Sequence, residues 1–259
     1  MKPRVVLGLV LAVTAPLVPR AARAQDSYEI QVYPSETIEH RRTMFELHTN
    51  FTADGRRTVA AAGVLPTHHA LHETIEITHG FTPWLEIGFY TFASVQGGAL
   101  YWVGNHVRPR IAAPAAWHWP FGVSLSVELG YQRPEFSVDT WTWEIRPIVD
   151  KQLGRLYLSL NPTLDISMKG AAAGQAPSFS PNAAVTFDVT RQVNLGLEYY
   201  GAFGPLGAFD PASQREQQIF PVINLNLSPD WEFNAGVGIG LTSVTDHLLF
   251  KTIIGRRLR

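Results

Sequence analysis

The sequence contains no cysteine among its 259 residues. This absence excludes a disulfide framework, a thiolate metal site and a cysteine nucleophile. It also excludes the lipid-attachment cysteine that a bacterial lipoprotein carries after its signal. Any chemistry of this chain must therefore come from other residue types.

Long apolar runs are missing beyond the first residues. After residue 24 no segment reaches about 18 uninterrupted apolar residues, so no transmembrane helix is expected. Lys2 and Arg4 precede an apolar stretch at 5–19, which is shorter than the roughly 20 residues that span a membrane. Ala22-Arg23-Ala24 then offers the small residues that a signal peptidase reads. We predict a cleaved signal peptide over residues 1–24 and an exported protein.

An excess of positive charge is also absent. Without residues 1–24 the chain has 17 Lys and Arg against 22 Asp and Glu, a formal charge of −5. A mildly acidic chain lacks the basic footprint that binds nucleic acid. We therefore expect no nucleic-acid partner.

The dominant pattern is period-two alternation of apolar and polar residues, which is typical of β-strands. An N-terminal extension covers residues 25–41. A short strand at Tyr28–Tyr33 is one interpretation of it, and a plug in the lumen, formed by this extension or by Ala53–Ala70, is another. The predicted barrel covers residues 42–259. Its twelve predicted strands lie at residues 42–52, 71–81, 84–95, 99–112, 121–133, 137–151, 155–169, 179–190, 193–204, 215–227, 231–242 and 247–258. Short turns alternate with mostly longer loops, as in a closed antiparallel up-and-down transmembrane β-barrel.

The direction of the apolar faces separates a membrane barrel from a soluble β-protein. A soluble barrel points its apolar face inward, and a membrane barrel points it outward to lipid. The apolar faces here are long enough for the roughly 9–11 residues of a membrane strand. Six of the seven tryptophans fall near predicted strand ends, where interfacial girdles are expected. The opposite faces mix glycine and serine with charged residues. This combination favours the membrane barrel over the soluble alternative.

If the apolar faces point outward, a set of charged side chains must point into the lumen. The candidates for the lumen or its constriction are Glu46, Glu76, Glu86, Arg108, Arg110, Glu128, Glu144, Arg146 and Glu198. Glu128 lies on the fifth predicted strand, between Arg108 and Arg110 on the fourth and Glu144 and Arg146 on the sixth. Ion pairs among these residues would form a ladder across three neighbouring strands. The network either fills and stiffens a narrow lumen or forms a charged filter. An excess of inward glutamate favours cationic or neutral polar solutes.

Two other motifs do not support a cofactor or metal. GVGIGLT (236–242) lacks the strand-to-helix context of a nucleotide loop. THHALH (67–72) has helical metal spacing, yet it precedes a strand, so a solvated histidine cluster is the better interpretation. No nucleophile, histidine and acid arrangement stands out. We expect no enzyme activity, no catalytic residue, no cofactor and no metal.

Five strings carry a family resemblance: TIEITHGFTPWLEIGFYTF (74–92), HVRPRIAAP (106–114), WTWEIRPIVDKQLGRLYLSLNPTLD (141–165), GLEYYGAFGP (196–205) and WEFNAGVGIGLTSVTDHLLFKTIIG (231–255). They resemble a transporter-like outer-membrane β-barrel family of proteobacteria, similar to the barrels named after the MetA pathway of phenol degradation. The resemblance covers residues 28–258 and implies a barrel that carries a solute, without naming it. Family members end in an aromatic residue that the barrel-assembly machinery recognises, whereas this chain ends in GRRLR with Leu258 near that place.

The predicted function is passage of small solutes through a narrow, porin-like channel in the outer membrane of a Gram-negative cell. Expected partners are outer-membrane lipid, the barrel-assembly machinery and a small solute, and the expected state is a monomer. Two alternatives remain open. One is a closed structural or adhesion barrel that acts through its extracellular loops, and the other is a soluble secreted β-rich binding protein.

Overall fold

The computed structural model describes residues 27–58 and 63–258. The predicted signal peptide therefore lies outside the described residues. Twelve antiparallel strands close into one barrel, in which β1 pairs with both β2 and β12. The strands are β1 Thr43–Asp54, β2 Leu71–Thr82, β3 Leu85–Gln96, β4 Ala99–Ala112, β5 Gly122–Gln132, β6 Asp139–Leu153, β7 Leu156–Gly170, β8 Ser178–Asp188, β9 Val193–Ala202, β10 Glu216–Leu225, β11 Trp231–Gly240 and β12 Leu248–Leu258. The predicted closed all-β barrel is confirmed.

The connections differ between the two ends of the barrel. One end has the turns after β2, β6 and β8, and we call it the short-turn end. Its longest connection, after β4, contains a short 3₁₀ helix, Ala115–Trp117. The other end, here the long-loop end, carries the long connections after β1 and β9, the second of which holds the 3₁₀ helix Ala212–Gln214. Within the described residues, no helix has the length and apolar character to cross a membrane.

Side chains alternate between the outside and the inside of the barrel along most of each strand. In β2, Ile75 is 49% exposed whereas the neighbouring Glu76 is fully buried. In β3, Phe89 is 45% exposed and Glu86 is fully buried. The same alternation continues around the barrel, so the apolar faces point outward and the polar faces inward. A soluble β-protein would expose far less contiguous apolar surface.

Tryptophans lie on the outside near both rims. Trp84, Trp117, Trp119 and Trp231 surround the short-turn end, and Trp102, Trp141 and Trp143 lie toward the long-loop end. All seven side chains are more than a third exposed. Amphipathic rings at these two levels are the arrangement found where a barrel crosses both lipid interfaces.

Residues 27–42 form an irregular segment that runs through the interior of the barrel, and we call it the N-terminal strap. It begins near the long-loop end, where the backbone carbonyl of Ser27 accepts a hydrogen bond from Asn50. It leaves at the short-turn end, where Arg41 N–H donates to the Gly80 carbonyl at 2.8 Å. The prediction of a strand at Tyr28–Tyr33 is wrong, because the strap backbone bonds to lumen side chains instead of to a neighbouring strand.

Candidate functional site

The candidate functional site is the filled lumen, in which the strap meets the inward faces of the strands at three levels. At the long-loop level, the Tyr28 ring packs against His72, with ring centroids 4.4 Å apart, and against Phe92 at 5.5 Å. Phe136, from the loop between β5 and β6, closes the same group. The Tyr28 carbonyl accepts a hydrogen bond from Thr74 at 2.7 Å. An aromatic cluster therefore covers the upper lumen.

At the middle level, Ile30 is the apolar contact of the strap. It packs in a small buried cluster with Tyr200, Phe220, Val222 and Leu249. Lys251 donates to the Ile30 carbonyl at 3.0 Å and forms an ion pair with Glu198. The Lys251 ammonium also lies 5.6 Å from the centre of the Tyr200 ring, within cation–π range. The strap is thus attached to β9 and β12 by both a charged and an apolar contact.

Tyr33 is the central residue of the strap. Its ring lies among three guanidinium groups, with Cζ atoms at 4.7 Å for Arg108, 4.9 Å for Arg146 and 5.6 Å for Arg110. Its hydroxyl donates to Glu29 of the strap itself. Each cation–π contact contributes about 0.5–2 kcal/mol, so the ring stabilises three buried cations at once.

Both polar groups of the Tyr33 backbone also form hydrogen bonds with the barrel. Its N–H donates to the Asn161 side chain at 2.7 Å. Its carbonyl accepts from Ser159 at 2.8 Å and from Asn161 at 3.1 Å. Both partners lie on the inward face of β7. Because the side chains of one strand satisfy both backbone groups, this part of the strap needs no strand partner.

At the short-turn level, charged side chains bind the strap backbone. Arg110 donates to the carbonyls of Pro34 and Glu36, both at 2.8 Å. Ser35 donates to Asp150 through its N–H at 2.6 Å and through its hydroxyl at 2.9 Å. Charge-assisted hydrogen bonds of this kind are about twice as strong as neutral ones.

The strap passes close to the backbone of β2 where it leaves the barrel. Ile38 N–H donates to Glu86 at 2.6 Å. Gly80 follows on β2, and a Cβ atom there would overlap the carbonyl oxygens of Ile38 and Glu39. Arg42 then forms an ion pair with Asp230 beyond the rim. Glycine at position 80 is what allows the two backbones to approach this closely.

Besides the Lys251–Glu198 pair, the described charged side chains on the inward faces of β2 to β6 form two groups. In the first, Arg108 donates to Glu76 at 2.6 Å and lies 3.2 Å from Glu86. Arg110 reaches the same Glu86 oxygen at 2.7 Å. Tyr90 and Thr78 also donate to Glu76, at 2.8 and 2.7 Å. Buried charges are thereby paired and hydrogen-bonded, which offsets the cost of removing them from water.

The second group joins β4, β5 and β6. Glu128 lies directly opposite Glu144 in the sheet, and it forms its ion pair with His106. Arg146 binds Glu144 at 2.8 Å and lies 3.6 Å from Glu29 of the strap. The predicted ladder through Glu128 is therefore wrong in its partners, because neither Arg108 nor Arg110 forms an ion pair with Glu128 within 4 Å.

Gly88 explains why Arg108 binds Glu76 on β2 instead of Glu128 on β5. Gly88 of β3 lies opposite Arg108 on one side and Thr78 of β2 on the other. A Cβ atom at Gly88 would lie 3.3 Å from the Arg108 guanidinium and 2.9 Å from the Thr78 hydroxyl. Because that space is empty, the Arg108 side chain passes over β3 and reaches Glu76 on β2.

All nine residues predicted for the lumen point inward. Glu46, Glu76, Glu86, Arg108, Arg110, Glu128, Arg146 and Glu198 are buried, and Glu144 is partly buried. The structure brings eight of them into the two charged groups or the Lys251 pair. Glu46 forms no ion pair with a Lys or Arg among the described residues. Their role as a filter stays a prediction. The sequence reasoning missed Tyr33, His106 and Asp150, and their inward positions on alternating strands were the available signal for the last two.

Below the charged groups lies a cavity of about 320 Å³ at the short-turn end. Its lining includes Glu46, Glu76, Arg108 and Gln31 and Tyr33 of the strap. A cavity of this size holds a small polar molecule or several waters. Residues of the strap form part of the wall of this cavity.

No protein-family model matches the sequence, and no curated protein is similar to it. Solved structures do match. The KdgM porin superimposes with a TM-score of 0.58 at 7% identity over 83% of this chain and 99% of that one. An outer-membrane channel from Pseudomonas putida F1 gives 0.60 at 11% identity over 89% and 100%. The NanC porin gives 0.53 at 8% identity over 84% and 99%.

The chain has the fold of a porin-like, twelve-stranded outer-membrane channel. At these identities the likeness is one of fold. The resemblance to the MetA-pathway barrels stays a prediction, because no family model supports it.

Proposed function

We propose that this chain is an outer-membrane channel that its own N-terminal strap closes at rest, and that small polar solutes pass when the strap moves. The apolar exterior with two tryptophan girdles supports insertion into a bilayer. The polar interior supports passage of hydrophilic solutes. The proposal includes no catalytic step.

One observation carries the proposal: the strap is fixed mainly by polar contacts. Asn161, Asp150, Glu86 and Arg110 bind its backbone. Water can solvate every one of these groups once the strap leaves, which offsets part of the cost of breaking the contacts. Ile30 and the rings of Tyr28 and Tyr33 are the larger apolar contributions. The strap is therefore suited to reversible movement.

The expected orientation of the barrel in the membrane follows from the lengths of its connections. Short turns mark the periplasmic side of outer-membrane barrels, and longer loops mark the extracellular side. We therefore propose that the cavity lined by Glu46 and Glu76 faces the periplasm. Lipid around the exterior, assembly by the barrel-assembly machinery and a monomeric state belong to the same proposal.

A closed structural or adhesion barrel is the second candidate, and the filled lumen is the observation that favours it. If the strap never leaves, the barrel conducts nothing, and only its extracellular loops face a partner. Single-channel recording of refolded protein in planar bilayers separates the two candidates. The channel proposal predicts brief openings between long closures, with more openings when the strap is weakened at Tyr33. If neither the wild type nor the Tyr33 variant conducts current, the second candidate, a closed structural or adhesion barrel, is favoured.

A further inference from the structure

A cluster of three potential metal ligands lies on the inward faces of β1 and β2, beside the charged group of Arg108. Glu46 and Glu76 are directly opposite each other in the sheet, and His48 follows Glu46 on the same face. One ligand atom from each side chain lies within 4.8 Å of the other two. The side-chain spacing of neighbouring strands thus brings two carboxylates and one imidazole together.

His48 is fully buried, and neither of its ring nitrogens makes a hydrogen bond. Its Nε2 lies 3.3 Å from Oε2 of Glu76, which also makes none. Nitrogen and oxygen ligands bound at about 2.0–2.2 Å around a tetrahedral zinc ion are separated by roughly 3.3–3.5 Å. These two atoms face each other as an ion pair when His48 is protonated, and they already have the separation of ligands that share one ion.

The other oxygen of Glu76 fixes the orientation of the carboxylate. Oε1 accepts hydrogen bonds from Arg108, Tyr90 and Thr78 at 2.6, 2.8 and 2.7 Å. Outer contacts of this kind orient a ligating carboxylate in protein metal sites. Oε2 is left to face His48, without a donor of its own.

Glu46 supplies the third ligand. Its side chain is 8% exposed and makes no hydrogen bond and no ion pair with Lys or Arg in the described part of the chain. Arg108, which lines the same cavity as Glu46, is bound to Glu76 and Glu86. A buried carboxylate normally pairs with a cation or coordinates a metal ion. Since no other polar contact restrains it, Glu46 is free to close on an ion.

We propose that Glu46, His48 and Glu76 bind one divalent transition-metal ion of the zinc class. One imidazole and two carboxylates form a borderline-to-hard ligand set, which suits Zn²⁺ or Co²⁺ better than a thiolate-seeking ion. The ion would enter from the cavity at the short-turn end, because Glu46 and Glu76 line it. Gln31 of the strap lines the same cavity, and its buried Oε1 has no hydrogen-bond donor. The proposal concerns binding and does not depend on conductance.

The test is a Co²⁺ titration of the refolded, tag-free full-length protein in detergent, followed by visible absorption and by competition with Zn²⁺. We expect one ion per chain. His48→Gln and Glu46→Gln should each weaken Co²⁺ binding by about tenfold or more, since loss of even an outer contact costs about 10–100-fold. His72→Gln is the matched control. Like His48, His72 is buried and neither of its ring nitrogens forms a hydrogen bond, but it lies on β2 and is not part of the cluster with Glu46 and Glu76. This control should bind Co²⁺ as the wild type does.

Heat-modifiable migration in gels shows which variants have folded as barrels, and Glu46→Gln decides the outcome if His48→Gln does not fold. Wild-type protein that binds less than one Co²⁺ per chain would overturn the proposal on its own. Equal affinity in the wild type and in either folded ligand variant would also overturn it. So would an equal loss in His72→Gln, since binding would then not depend on the cluster.

Discussion

Replacement of Tyr33 by alanine is the perturbation whose effect on the strap can be worked out in most detail. The Tyr33 ring is buried among Arg108, Arg146 and Arg110. Truncation of a buried aromatic ring costs about 3–5 kcal/mol. If this ring is exposed to water when the strap leaves, its loss weakens the closed state relative to the open state by about 3 kcal/mol. At about 1.4 kcal/mol per tenfold, the ratio of open to closed channels rises roughly a hundredfold.

Single-channel recording in planar bilayers measures this ratio directly. Tyr33→Phe retains the ring and loses the hydroxyl contacts with Glu29 of the strap and with Tyr90 of β3, whose hydroxyl lies 3.3 Å away. Because the Tyr90 contact joins the strap to the barrel, we expect an increase of about tenfold for a loss of about 1–1.5 kcal/mol. Tyr131→Ala is the control, because it removes a tyrosine from the outer surface, where it packs on Trp102 and Trp141. An open fraction for Tyr33→Ala no greater than for Tyr131→Ala would refute the reasoning.

Three further predictions address the exit of the strap, the outer surface and the buried lysine. Gly80→Ala should displace the strap at Ile38 and raise conductance while heat-modifiable migration stays normal; unchanged conductance would contradict the close approach. Leu197→Lys, in the middle of an outward face, should cost about 2–4 kcal/mol in equilibrium unfolding from lipid vesicles, and no cost would place that face in water. Lys251→Met should destabilise the barrel by about 3–5 kcal/mol in the same assay, because Glu198 stays buried without its cation; wild-type stability would show that this pair is dispensable.

Strand positions and faces follow from local alternation. β4 runs over Ala99–Ala112, the predicted range, and the other strands differ from prediction by one or two residues at an end. Glu76 and Glu86 are inward for the same local reason: each lies between two outward apolar residues. Period-two patterning decides these features, and it needs no knowledge of distant contacts.

The place of the strap does not follow from local pattern. Tyr33 bonds to Asn161, which lies 128 positions away in the chain. Nothing within residues 25–41 distinguishes a segment in the lumen from one outside it, since its partners are on distant strands, among them β3, β4, β6, β7 and β12. An alternating run at Tyr28–Tyr33 looks like a strand when those partners are not visible.

Ion-pair partners are harder to predict from the sequence than the strands, and easier than the place of the strap. The inward direction of Arg108 is predictable, but its choice of Glu76 over Glu128 depends on the gap above Gly88. The Arg108 side chain crosses β3 at a position that lacks a side chain. The glycine was visible in the sequence, although its consequence required the register between β3 and β4.

The most direct test of the central claim is to lock the strap in the lumen. Ser35→Cys and Asp150→Cys in one chain would place two thiols where the Ser35 hydroxyl now donates to Asp150 at 2.9 Å, in a protein with no other cysteine. The account predicts that the oxidised double variant conducts no current, that reduction restores brief openings, and that neither single variant responds to oxidant. Undiminished conductance with the disulfide formed would contradict closure by the strap.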